Sequence, residues 1–437
     1  MLSHDVLLRH SRSGPRYTSY PPVPRWKTGG PDDALRSLAR DLSGPVAAYV
    51  HVPFCRRQCA YCGCNMVVSK RQSAGERYLD ALQTQLEGLG PLDIAWLHLG
   101  GGTPTWLDGV QLDRLFAMLP KGQSWVETSV EIDPETADDE RLDALARAGV
   151  NRVSLGVQSM DPGVIEAVGR AQMPQTVRDV VAACRSRGMD SLNLDLMYGL
   201  PQQTTDTFAG TLAEVVDLRP DRLAVFGYAH VPWMKPHQAV LTDLPDGPAR
   251  AGLALQAHQT LLNAGYVAIG LDHYALPNDS LAVAQRHRRL DRSFMGYTPH
   301  PGLPVIGAGP SAISAVDGSF VQQTTHLGTW WRAVDAGVDP VERTCTSTAA
   351  ERTTGEIIRR VLCDLWLDTD EVRSDLGVDV HALCPDAWRR LDPLLADGLI
   401  ERTDTTVKVT EDGRLLVRNV AMAFDPLVGE ARYSSTV

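Results

Sequence analysis

Four cysteines fall within ten residues, Cys55, Cys59, Cys62 and Cys64, in the stretch HVPFCRRQCAYCGCN. The other four, Cys184, Cys345, Cys363 and Cys384, are scattered and read as ordinary buried thiols. The N-terminus, MLSHDVLLRHSRSGPR, has no apolar run of signal-peptide length, so a cytoplasmic protein is expected. A reducing compartment disfavours a disulfide framework, and the four-cysteine group is expected to bind metal or do redox work. Structural zinc draws cysteine pairs from two separate loops, and no second pair exists here. A dithiol redox site explains Cys59 and Cys62 but leaves Cys55 and Cys64 idle. Three thiolates spaced C-x3-C-x2-C suit an iron–sulfur cubane, each holding one iron with the fourth iron open. The spacing therefore favours a cluster over zinc.

Other residues fit a ligand site around that loop. Gly100, Gly101, Gly102, Thr103 and Pro104 follow an apolar run, where glycines let backbone approach a ligand and Thr103 adds a hydroxyl. Glu131 in VEIDP and Asp195 in NLDLMYGLP are carboxylates that could take ribose hydroxyls or an ammonium; the plainer reading is a helix cap or surface charge. Gln158 ends the run RVSLGVQ, and Arg170 follows in VGRAQ, either paired with a ligand carboxylate or exposed on a helix. Tyr49 and His51 alternate with Val50 and Val52, so they share one strand face. Tyr49, His51 and Cys64 are the candidates for catalytic contact. His230 and His273 are weaker cases.

The elements that must position these residues alternate. Apolar, β-branched-rich runs at 46–52, 94–99, 127–132, 152–157, 191–197 and 222–228 are separated by segments of helical period such as 76–89, 138–148 and 174–187. This predicts an α/β fold of parallel units, with too few strands to close an eight-stranded barrel: a partial (β/α)6 barrel. Residues 1–45 are an irregular N-terminal segment, rich in Pro and aromatics. Residues 46–340 form the catalytic domain. Residues 341–437 form a smaller, mostly helical, winged-helix-like C-terminal domain, with GLIERTDTTVKVTEDG as a hairpin before a final helix. Net charge is −11, which argues against general nucleic-acid binding, and the longest uncharged stretch, Ser293–Val316, holds four prolines and four glycines, unlike a membrane span. Residues 1–71 nevertheless hold eleven Lys and Arg against four Asp and Glu. That asymmetry suggests a local anionic ligand, or a solvated surface facing a partner.

The loop C-x3-C-x2-C with Tyr61 before the last cysteine resembles the signature of radical S-adenosylmethionine (SAM) enzymes. Beyond it, SGPRYTSYP, YVHVPFCRRQCAYCGCN, HLGGGTPTWL, VEIDP, SLGVQ, NLDLMYGLPQQT, DRLAVFGYAHVP, LDHYALPNDSLAVAQ, FMGYT and GAGPSAIS together resemble the oxygen-independent coproporphyrinogen III oxidase family, from about residue 12 to residue 425. The resemblance implies a 4Fe-4S cluster on Cys55, Cys59 and Cys62, with Cys64 not a ligand of it. It implies two SAM molecules, one at Tyr49, Gly101, Glu131 and Ile313, the other at Tyr61, Gly102, Thr103, Gln158, Arg170, Asp195 and Ala229. The implied reaction is anaerobic oxidative decarboxylation of the ring A and B propionates of coproporphyrinogen III. An external electron donor such as a flavodoxin or ferredoxin would supply electrons to a monomeric enzyme. The four propionates fit the basic N-terminal region. Arg16, Lys70 and Arg71, with Arg12 and Arg25, are candidate carboxylate partners. Tyr17, Tyr20 and Trp26 could cover the macrocycle, with residues 1–45 closing over the site. Gly227 departs from the asparagine of the family pattern, and RNVAMAFD lacks cysteines seen in some relatives. The alternatives are a two-SAM radical methyltransferase or cyclopropanase, another heme-modifying enzyme, and a heme-binding chaperone. Cys64 and the PRYTSYP segment argue against the chaperone. DNA binding by the C-terminal module is a poor fit to an acidic chain.

Overall fold

The computed structural model describes residues 2–40, 42–119, 122–123, 125–429 and 433–436. The chain forms two compact units: Trp26–Asp195 with Leu303–Thr346, and Met1–Arg25 with Leu196–Gly302 and Ser347–Val437. Contacts thus group the chain differently from cuts at 45 and 340. Residues 1–25 and 26–45 belong to different units, and the division falls inside the strand Ser191–Tyr198.

The unit carrying the cysteines is built on parallel strands. Pro45–Val52, Asp93–Gly101, Glu127–Ile132 and Arg152–Gln158 pair in that order, and Ser191–Tyr198 neighbours the last. Parallel pairing requires a crossover between successive strands, and helices Ser73–Leu89, Gly109–Ala117, Asp139–Arg147 and Pro174–Ser186 supply it. Their starts are set locally: Asp108 caps the second helix in a capping box with Gln111, and Asp138 caps the third. Each strand sends alternate residues to the helices. Val153, Leu155 and Val157 are fully buried, as are Leu192, Leu194 and Leu196, so Ser154, Asn193 and Asp195 point to the opposite face. On the far side of Pro45–Val52, Val305–Ala308 pairs in parallel and leads into the antiparallel strands Ile313–Val316, Ser319–Gln323 and Val341–Thr346.

The second unit contains the strand Arg222–Gly227, paired antiparallel with His273–Ala275, which pairs in turn with Val267–Gly270. Helices Thr205–Leu218 and Gly247–Asn263 belong to it. Its C-terminal part has helices Ala349–Asp364, Thr369–Leu376 and Ala387–Ala396, a three-stranded antiparallel sheet of Trp366–Asp368, Thr406–Val409 and Ile400–Arg402, and a final helix Val417–Ala423. The expected hairpin and final helix are present. Helices Val380–Leu383 and Ala387–Ala396 are separated at Cys384, whose successor Pro385 disfavours helical backbone before it. The N-terminal segment is laced into this unit. Gly14 N–H donates to Ser434 O, Thr436 N–H to Arg12 O, and the buried Asn419 amide to His10 O.

All six expected strands are found, at 45–52, 93–101, 127–132, 152–158, 191–198 and 222–227, and the sheet is open. Among the described residues no helix is long and apolar enough to cross a membrane.

Candidate active site

The cysteine loop leaves the C-terminal end of the first parallel strand and is pinned at its root. Phe54 and Cys55 pair with Val67 and Val68, and Phe54 is buried between Trp106 and Tyr78, with centroids at 4.4 and 5.7 Å. Trp106 Nε1 donates to Ser69 O, and Tyr78 donates its hydroxyl to His51 O. Cys55, Cys59 and Cys62 are half-buried free thiols, and Cys62 N–H donates to Cys59 O in a tight turn. Cys64 is exposed and shares a hydrogen bond with Cys62. Burial, with Cys62 and Cys59 close by, pushes the Cys55 thiol up to about 12, so it ionises only against a cationic partner. Among the described residues no three His, Cys, Asp or Glu side chains converge on a single ion. A cubane asks for something else, one thiolate per iron around a body several ångströms across. Three soft thiols from one anchored loop fit that group.

Register aligns the rest of the site in rows. Tyr49 lies opposite His98, and His98 opposite Ser129. The Tyr49 ring stacks on His98 at 5.8 Å, and His98 Nδ1 is 2.8 Å from Ser129 Oγ. In the next row His51 lies opposite Gly100, and Glu131 opposite Ser154. His51 Nε2 donates to Asn65 O at 2.8 Å, which leaves Nδ1 to accept from the hydroxyls of Tyr49 (3.0 Å) and Ser311 (3.3 Å). Burial lowers the His51 pKa and keeps the ring neutral. Glu131 accepts from Gly101 N–H at 3.1 Å and from His98 Nε2 at 3.4 Å, and its side chain is 43% exposed. Burial alone raises its carboxyl; His98, Gly101 N–H and His51 outweigh that and hold it below the usual value. It is an oriented, accessible anion.

The three glycines are explained one by one. A Cβ on Gly100 would stand 3.0 Å from the Glu131 carboxylate, on Gly101 2.8 Å from the His51 ring, and on Gly102 2.7 Å from Phe54 O. Gly101 also has φ +118°. Beyond them Thr103 Oγ1 lies 3.4 Å from Cys55 Sγ.

A second constellation surrounds Arg170. Its guanidinium is buried, donating to the Tyr61 hydroxyl (3.0 Å), Asp133 Oδ1, Gly156 O and Gln172 Oε1 (2.9 Å each), with Cys59 Sγ at 4.0 Å. Of the two readings of Arg170, the exposed helix charge fails, because a strand carbonyl and three side chains draw the group inward. Gln158 is buried at φ +67°, a strained backbone, and its amide lies back over Gly156, where a Cβ would stand 3.1 Å from Nε2. Asp195 accepts from Ser154 Oγ (3.1 Å) and Asn193 Nδ2 (2.8 Å). Ile313 is half-buried, and Gly307 keeps its carbonyl clear, since a Cβ there would meet Ile313 O at 2.5 Å. His98, Ser129, Asn65, Asp133, Gln172 and Ser311 belong to these networks and were not read from the sequence.

The remaining candidates separate. Lys70 and Arg71 are exposed just after the cysteine loop. Trp26 is buried and stacks on Phe320 at 5.1 Å, and so does not cover a ligand. In the other unit Tyr17 and Tyr20 are 6% and 8% exposed and both donate to Asp425 at 2.8 Å. This corrects the expectation that they cover a macrocycle: their hydroxyls and faces are committed to the interior. Arg16, carried next to them, pairs with Asp272, and Ala229 and His230 line the same cavity as Arg16. Burial would raise the Asp272 carboxyl, but Arg16 and His273 outweigh it and hold it well below the carboxylate range.

Residues 49–215 match the family model of the radical SAM superfamily. The chain is 37% identical to an oxygen-independent coproporphyrinogen III oxidase of Pseudomonas aeruginosa, over 99% of this chain and 98% of that one. It is 36% identical to the protein of the same name from Escherichia coli K12, over 96% and 94%. The solved structure of coproporphyrinogen III oxidase from Escherichia coli, described as a radical SAM enzyme, superposes with a TM-score of 0.90 at 34% identity, covering 94% of this chain and 98% of that one.

Proposed function

We propose, from the premise that this chain belongs to the radical SAM family of oxygen-independent coproporphyrinogen III oxidases, that it converts coproporphyrinogen III to protoporphyrinogen IX without oxygen in heme biosynthesis. The observation that carries this reading is correspondence over the whole chain rather than over the cysteine loop alone. A methyltransferase or a chaperone would share the loop or the fold, not both ends as well.

When bound on Cys55, Cys59 and Cys62, a 4Fe-4S cluster with SAM would supply hydrogen-atom abstraction chemistry toward a propionate β-carbon, with an external one-electron donor reducing the cluster and an external one-electron acceptor taking the electron released as carbon dioxide leaves and the vinyl group forms. Cys55, Cys59 and Cys62 would hold three irons, and the pinned Phe54 root fixes where the cluster sits. Glu131, ionised and accessible, would take the ammonium of the cluster-bound SAM, with Gly101 offering backbone and Tyr49 and Ile313 closing the sides. Neutral His51 accepts from Tyr49 and so fixes the phenol. Tyr61, Gly102, Thr103, Gln158, Arg170, Asp195 and Ala229 would serve a second SAM, with Asp195 a natural acceptor for ribose hydroxyls. Arg170 acts there by orienting Tyr61, because its own charge is answered by Asp133. Cys64, exposed beside Cys62, is a candidate for catalytic contact outside the cluster ligands. Arg16, Lys70 and Arg71 are candidate partners for the propionates, and Tyr17 and Tyr20 hold the segment that carries Arg16. A one-electron donor such as a flavodoxin or ferredoxin, a monomeric state and a cytoplasmic setting complete the reading. All eight cysteines are free thiols, which suits a reducing compartment.

Anaerobic reconstitution followed by turnover with coproporphyrinogen III, SAM and reductant tests it. The expected product has lost two carbon dioxide molecules. A product that has gained CH2, or protein that binds heme but forms no 5′-deoxyadenosine, sinks the reading.

A further inference from the structure

The unit that carries residues 1–25 encloses a cavity of about 200 Å³ lined by three arginines, Arg16, Arg250 and Arg418. Asp272 is the one carboxylate among its described lining residues, and Arg16 already pairs with it. Arg250 and Arg418 have no carboxylate partner among the described residues. The Nε of each is buried without a hydrogen-bond acceptor. Arg418 is only 5% exposed, and among the described residues its Nη1 reaches the carbonyls of Ser435 (3.1 Å) and Gly14 (3.5 Å). A guanidinium held this deep without a counter-ion is strongly unfavourable in isolation. Burial and the neighbouring Arg16 draw the Arg418 pKa down to about 10, still charged at neutral pH. The Tyr198 hydroxyl sits within the field of all three guanidinium groups.

The rest of the wall suits a short hydrocarbon stem. Val225, Ala254 and Leu271 line it beside the rings of Tyr228 and Tyr274. The volume lies below the roughly 300–1,000 Å³ of sites that take whole ligands. An alkyl carboxylate fits; a tetrapyrrole ring does not.

We propose that this cavity receives one propionate arm of the substrate, its carboxylate held by Arg250 and Arg418 and its stem against the apolar wall. The inference rests on the function proposed above and assigns to it two residues outside the basic N-terminal region. The same carboxylate chemistry is present in the methionine end of SAM, so the test separates the two.

Cluster-loaded protein is titrated anaerobically with coproporphyrin III, with its tetramethyl ester, and with SAM. Wild-type protein is expected to prefer the free acid. Arg250→Gln and Arg418→Gln are each expected to weaken the acid about tenfold while leaving the ester and SAM unchanged, and Arg418→Lys is expected to recover part of the loss. Arg250 is only half-buried, so Arg250→Gln decides alone if Arg418→Gln does not fold. An unchanged acid-to-ester ratio, or a loss of SAM affinity in place of porphyrin affinity, overturns the site while turnover stands. Wild-type protein that does not convert coproporphyrinogen III removes both the function and the site.

Discussion

A methyl group at position 101 has nowhere to go. The backbone there is at φ +118°, and a Cβ would press on the His51 ring at 2.8 Å. Gly101→Ala is expected to cut 5′-deoxyadenosine formation at least about tenfold with iron and sulfide content unchanged, read by chromatography and metal analysis. At Gly227 a Cβ would meet the Tyr198 hydroxyl at 2.8 Å. The missing side chain at Gly227 therefore makes room for that phenol, and Gly227→Ala is expected to cost about 1–3 kcal/mol in urea unfolding. At this scale the sequence was legible where a strand ends. Glu131, Gln158 and the glycines announced themselves by position. His98 did not, because it reads as one polar residue inside an apolar run, and the register that lays it against Tyr49 is a property of two strands rather than of either. The two readings of Arg170, ligand pairing or an exposed helix charge, could not be separated locally for a related reason: Tyr61, Asp133 and Gly156, which help to bury it, come from distant segments.

The N-terminal segment behaves as a structural strap of its unit. Tyr17 and Tyr20 converge on the buried Asp425, and Asn419 reaches back to His10. Tyr17→Phe and Tyr20→Phe are each expected to destabilise by about 1–3 kcal/mol, since each strips a donor from a buried carboxylate; chemical denaturation measures it. Removing residues 1–20 is then expected to lower the melting temperature, not merely to abolish turnover. The six core strands were readable because each is an apolar, β-branched-rich run that sends alternate residues to the helices. Ile313–Val316, Ser319–Gln323 and Val341–Thr346 were not, being short and half-buried with no such run. The aromatics of PRYTSYP were read as a cover because nothing local shows that Asp425, four hundred residues on, claims their hydroxyls.

Over the whole molecule, buried histidines set the acid limit. His51, His258 and His273 are each held below the ordinary imidazole value by burial. Near pH 6.5 the unfolded chain therefore takes up protons that the fold refuses, and stability falls as pH drops from about 7 toward the lower native values. The urea midpoint of cluster-free protein is expected to be lower at pH 5.5 than at 7.5, and His258→Asn to flatten that slope. The depressed carboxyls of Asp272 and Glu131 act lower down: their contribution is complete above about pH 5 and is lost as pH falls through the unfolded and then the native values. Composition and period gave the class of fold, yet the two compact units interleave along the chain, which no reading of local pattern reveals. The strapping of Arg12 and Gly14 to Ser434 and Thr436 sets an order of events during synthesis. The unit that bears the cysteine loop has all its residues once position 346 leaves the ribosome. The other must wait until position 436 has been made, with its first twenty-five residues the oldest part of the nascent polypeptide and the last to find their place.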